Sequence, residues 1–143
     1  MKHLKRLFII AVVSLCVTAC SETLKIQKQL IGTWVNTQTV TITTVNGTST
    51  SPVILTSSTE TTFDKGGTGC GSNSGSGVNP FPKEFTWTNL DSELTIIDQD
   101  TFVPYTYTVV EHSKSQLILN SVTTGVVSSD TITVDITITL DKV

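Results

Sequence analysis

Arginine occurs once in this sequence, at Arg6, and histidine twice, at His3 and His112. Nucleic-acid binding relies on clustered Lys and Arg that neutralise phosphates. Nine Lys and Arg against twelve Asp and Glu, for a net charge of −3, offer no such cluster. Cysteine is equally scarce, at Cys16, Cys20 and Cys70. A zinc site needs about four N or S ligands, and Ser/His or Cys/His catalysis needs a nucleophile beside an oriented base. The inventory predicts no metal site, no cofactor and no enzyme. Asp98 and Asp100 share a turn with Gln99, but Ca²⁺ takes about six to eight oxygens, so the pair reads as a solvated loop. Glu111, His112 and Ser113 are neighbours in sequence, whereas a catalytic triad is assembled by the fold. Long apolar runs are also missing, apart from one at residues 7–17.

That run follows a basic start (Lys2, Lys5, Arg6) and precedes Thr18-Ala19-Cys20, the order of a secretory signal. Val17-Thr18-Ala19-Cys20 resembles the lipobox of bacterial lipoproteins, in which the cysteine is diacylated and the signal is cut just before it. Leu15 is too bulky for the cleavage position ahead of Cys16, so Cys20 is the expected lipidation site. Residues 1–19 form the expected signal peptide, and residues 20–31 a lipidated tether with a short helix. Residues 32–143 form one domain. Beyond the signal, six lysines face all twelve acidic residues, a formal charge of −6. Ser21 lacks the aspartate that the enterobacterial sorting rule uses for inner-membrane retention, which favours the outer membrane. The expected location is therefore the cell envelope, with the protein anchored to membrane through N-terminal lipid.

Residues 21–31 are the one helical candidate, with Leu24, Lys28 and Ile31 three or four apart and Ser21 or Thr23 available as a cap. The rest reads as strand. Threonine fills 26 of residues 20–143, and with Val and Ile it suits a pleated, half-buried sheet. Residues 131–140 alternate strictly, with apolar side chains at every even position. Trp34, Val40 and Ile42 share a parity and are followed by Asn46-Gly47, the dipeptide suited to a type I′ hairpin. That turn predicts Val40 opposite Val53 and Ile42 opposite Ser51, with Val53 and Leu55 on the same face. Further strands are expected over 58–63, 84–88, 93–98, 105–111, 116–120 and 131–140. Their connections are too short for helical crossovers, so the sheet is antiparallel. The fold class is all-β: about eight strands in an antiparallel meander closing into a barrel, with a β-sandwich as the alternative. Half of residues 66–77 are glycine, and the stretch to about residue 79 reads as a flexible Gly/Ser-rich loop carrying an exposed thiol at Cys70.

Leu30-Ile31-Gly32-Thr33-Trp34, Thr62-Phe63-Asp64-Lys65-Gly66-Gly67, Phe85-Thr86-Trp87, Tyr107-Thr108-Val109 and Leu117-Ile118-Leu119 occur in this order. The series resembles the lipocalin-like lipoproteins of Gram-negative bacteria such as the Bacteroidetes. The resemblance implies a lipocalin-like barrel and, in lipocalins proper, a late-strand arginine against the tryptophan of the first strand. No arginine follows Arg6. The function it implies is a membrane-anchored, non-catalytic binding module for a small apolar or amphipathic ligand. Trp34, Phe85, Trp87, Tyr105 and Tyr107 are candidates to line the cavity or to fill it. The alternative is a lipid-anchored interaction domain with a packed core, contacting protein or glycan through its loops.

Overall fold

The computed structural model describes residues 23–72 and 75–143. Cys20, its cleavage site and Ser21 lie outside the described residues. A helix over residues 23–30, α1, leads into β1 (Gly32–Val45), β2 (Thr48–Ser49), β3 (Val53–Thr56), β4 (Glu60–Phe63), β5 (Thr68–Ser72), β6 (Glu84–Leu90), β7 (Glu93–Asp98), β8 (Pro104–His112), β9 (Gln116–Val127) and β10 (Asp130–Lys142). Each strand from β4 to β10 pairs antiparallel with the next, β4 pairs β1, and β1 pairs β10 along almost its whole length. The result is a closed eight-stranded antiparallel barrel rather than a sandwich. Its second position is composite, because β2, β3 and β4 all lie along β1 as one interrupted strand. Among the described residues no helix is long and apolar enough to cross a membrane.

The hairpin turns at Asn46-Gly47, both at positive φ (49° and 82°), and Val45 pairs with Thr48 as turn chemistry requires. The register then departs from expectation. Val40 lies opposite Ile54 rather than Val53, and Thr41 opposite Val53. Pro52 has no N–H to continue the ladder, and Thr50 to Pro52 hold one residue more than the facing stretch of β1. A second irregularity matters more. The β1–β10 register shifts between Asn36 and Gln38, a bulge at Thr37. Side chains alternate along a strand, so one extra residue reverses which face each later residue occupies. Trp34 and Asn36 point inward before the bulge; Thr39 and Thr41 do so after it, opposite Ile138 and Ile136. Val40 and Ile42 therefore do not share the inner face with Trp34. Gly47→Val places a β-branched residue at positive φ and is expected to cost about 1–3 kcal/mol. Urea unfolding checks this, and an unaltered midpoint would place the turn elsewhere.

The Gly/Ser-rich stretch is corrected most. Residues 68–72 form β5, a barrel strand hydrogen-bonded to β4 on one side and β6 on the other. Gly69 faces the interior, where the ring of Phe85 and the Thr62 carbonyl oxygen occupy the space a side chain would take. Cys70 faces out and is exposed. Gly69 thus permits close approach of the Phe85 ring, and Gly71 close approach of the Phe81 and Pro82 carbonyls.

The core fills the end of the barrel nearest α1. Phe63 meets Phe81, Phe85 and Trp87 edge-on at centroid distances of 5.9, 5.4 and 5.7 Å. Leu94, Ile96, Leu117, Leu119, Ile138 and Leu140 complete the layers. The helix covers this end with Ile26 and Leu30, whereas Leu24 of the expected stripe is half exposed. The 24–28–31 stripe carries the charged Lys28, while 26 and 30 are both apolar, so the second buries at lower desolvation cost. Thr23 does not cap its own helix. Its hydroxyl donates to the Asp91 carboxylate at 3.0 Å and accepts the Asp91 amide at 2.8 Å, tying α1 to the β6–β7 turn.

Candidate functional site

The half of the barrel beyond the aromatic core encloses a cavity of about 580 Å³. Strand direction places it: α1 sits where β1 begins, so the turns at 46–47, 99–103 and 128–129 ring the opposite, open end. Register orders its depth. Asn36, Ile138 and Tyr107 form the floor, while Thr41, Thr123 and Tyr105 stand nearer the mouth. Leu55, Val78 and Pro80 close the side where β3 has no second neighbour in the sheet. The bulge at Thr37 gives this cavity its chemistry. Shifting β1 by one position presents Thr39 and Thr41 inward in place of Val40 and Ile42, and a smaller, hydroxylated wall leaves room that branched aliphatics would fill. Ser121 and Thr123 repeat this on β9, continuing the inward parity of Leu117 and Leu119. The strand candidate over 116–120 stopped short of them.

The candidate aromatics divide between two places. Tyr105 and Tyr107 line the cavity. Trp34, Phe85 and Trp87 are buried in the packed half and do not line it. Sequence reasoning missed Asn36, Thr39, Thr41, Ser121 and Thr123. One signal was present: Asn is depleted in strands, and Asn36 follows Trp34 by two residues, on the same face.

Asn36 is fully buried, with its side chain opposite a single hydroxyl. Its Nδ2 donates to Thr39 Oγ1 at 3.3 Å and its Oδ1 accepts from the same oxygen at 3.5 Å, both near the outer limit of hydrogen bonding. An amide carries two donor hydrogens and two lone pairs, so it retains capacity on both atoms. Tyr107 is 7 % exposed, its ring 5.8 Å from that of Phe81, and no described residue hydrogen-bonds its hydroxyl. Burial, reinforced by neighbouring Tyr105, pushes its phenol up to about 12. The unfolded chain releases that proton near pH 10, so between pH 10 and about 12 the native state binds more protons and stability falls as pH rises. Tyr107→Phe is expected to remove that part of the slope, measured as the urea midpoint against pH for both proteins. Equal slopes would place the hydroxyl in water.

Elsewhere, turn residues are engaged by their own turns. The Asp98 carboxylate accepts the amides of Asp100 at 2.8 Å and Thr101 at 3.3 Å, and the Asp100 amide above all holds it below its ordinary range. His112 Nδ1 meets Gln29 Oε1 of α1, and Ser113 Oγ accepts the amides of Ser115 and Gln116, so these neighbours do not form a relay.

At the closed end Trp34 Nε1 donates to the Leu30 carbonyl at 2.7 Å. Lys142, from the last strand, places Nζ 4.8 Å from the Trp34 ring centre and donates to the carbonyls of Ile31 at 2.8 Å and Gln29 at 3.2 Å. A lysine of the last strand thus stands against the tryptophan of the first. No family model, curated protein or solved structure matches this chain.

Proposed function

We propose that this chain is a lipocalin-like lipoprotein whose barrel binds a small apolar or amphipathic ligand. One observation carries the reading: a cavity of about 580 Å³, within the roughly 300–1,000 Å³ of small-molecule sites, opening at one end of a closed barrel. Trp34 beneath a short helix, with Lys142 stacked on it, supports the family reading. The role proposed is binding without catalysis, in a cavity whose described lining is Asn, Ser, Thr, Tyr, Gly, Pro and aliphatic side chains.

The anchor in this proposal is lipid on Cys20, in the outer membrane. Three residues carry the chain from Cys20 to Thr23, and a chain spans at most about 3.6 Å per residue. Such an anchor holds the closed end against the membrane and turns the cavity mouth away from it. A second reading, contact with protein or glycan, draws on the exposed Phe102, Val126 and Val127 around the open end.

Native mass spectrometry of the protein recovered from its own host tests the first reading, with a bound small molecule expected. A ligand-free protein that also fails to take up a fluorescent apolar probe would sink it. Cys20→Ser tests the anchor: the protein should leave the membrane fraction, and unchanged fractionation after normal processing would refute lipidation.

A further inference from the structure

The floor and the mouth of the cavity differ in burial: the polar groups at the floor are sealed from bulk water, those nearer the mouth are not. At the floor, Asn36 is fully buried with spare hydrogen-bonding capacity, and Tyr107 is more than nine-tenths buried with a hydroxyl that no described residue satisfies. Nearer the mouth stand Thr41, Thr123 and the half-exposed Tyr105, with Leu55, Val78 and Pro80 along the side wall. No lining residue carries a charge at neutral pH. The interior cation nearest in sequence to the wall, Lys142, lies on the far side of the Leu140 layer and is engaged by Trp34, Gln29 and Ile31.

We infer that the ligand is an uncharged amphiphile that enters polar end first, its hydroxyl or carbonyl group meeting Asn36 and Tyr107 and its hydrocarbon filling the volume toward the mouth. This rests on the binding reading above and specifies the ligand class and its orientation. The physical argument is desolvation. A carboxylate brought to this floor loses its water and finds an amide and a phenol but no cation, whereas an alcohol or amide recovers its hydrogen bonds. An alkane fits the walls but offers the Tyr107 hydroxyl no partner and leaves the spare capacity of Asn36 unused. Selection between head groups follows from this remaining capacity, because a site built to hydrogen-bond a ligand rejects the analogue lacking the bond far more strongly than it senses one methylene. Thr39 connects the two levels: its hydroxyl holds the Asn36 amide and its own strand forms the wall above.

The test is calorimetric titration of the full chain at pH 8 with four probes of equal chain length: decan-1-ol, decanamide, decanoate and 1-chlorodecane. Decanol and decanamide are expected to bind at least tenfold more tightly than decanoate and several-fold more tightly than chlorodecane. Tyr107→Phe should cut decanol affinity three- to tenfold while leaving chlorodecane unchanged, and Tyr105→Phe, near the mouth, should preserve the wild-type ranking. Tyr107→Phe keeps the ring and its packing, so the variant that carries the test is expected to fold. Decanoate binding as tightly as decanol, or a Tyr107→Phe protein with wild-type selectivity, would overturn the head-first inference while leaving the cavity reading intact. Failure of all four probes to bind would overturn both.

Discussion

Gly69→Val is expected to unfold the barrel or bring it close to unfolding. An ideal Cβ on Gly69 falls 2.4 and 2.5 Å from two atoms of the Phe85 ring and 2.5 Å from the Thr62 carbonyl oxygen. Phe85 cannot retreat, being 1 % exposed and held edge-on by Phe63, and the Thr62 oxygen belongs to the paired strand. Overpacking a tight core costs about 1–3 kcal/mol and occasionally more. A valine here meets ring and backbone at once, and a loss above about 3 kcal/mol is expected by urea unfolding. The neighbour supplies the control. Cys70 points outward and is exposed, so Cys70→Ser should stay within about 0.5 kcal/mol of wild type and the thiol should react rapidly in native protein. Two adjacent substitutions with opposite outcomes distinguish a strand from a linker, in which both would be silent.

Trp34→Ala is expected to cost about 3–5 kcal/mol, the range for removing a large aromatic from a core. Trp34 has no exposed surface, its indole N–H satisfies the Leu30 carbonyl, and its face receives Lys142. The last carbonyls of a helix lack partners within the helix; here Trp34 and Lys142 supply them, so the residue that fills the closed end also fastens its cover. Lys142→Met keeps the stem but removes the charge and the bonds to Gln29 and Ile31, and a loss of about 1–3 kcal/mol is expected. If Trp34 and Lys142 act as one unit, the double variant loses less than the two single losses added together. Strict additivity in thermal or urea unfolding would show that the stacking is incidental.

Local pattern in the sequence was enough for the all-β class, the antiparallel order, the Asn46-Gly47 turn and the short helix before Gly32, because alternation, turn residues and helix periodicity each act over a few neighbours. The even-position apolar face of residues 131–140 is the clearest case: Ile136, Ile138 and Leu140 do face inward. What neighbours cannot encode is phase and proximity. One bulge at Thr37 inverted the second half of β1 and exchanged an aliphatic wall for a threonine one, so the cavity depends on pairing with a strand about a hundred residues away. The glycines of β5 read as a linker because nothing beside them in sequence announces the Phe85 ring against Gly69 or the Phe81 and Pro82 carbonyls against Gly71. Lys142 found Trp34 only because closing the barrel set the last strand beside the first. Strand existence is a local property and was legible except at β5, whose glycines carry no alternation. The strand count already pointed to a closed barrel, but register and the contacts that closure creates are long-range, and only the tertiary structure decided them.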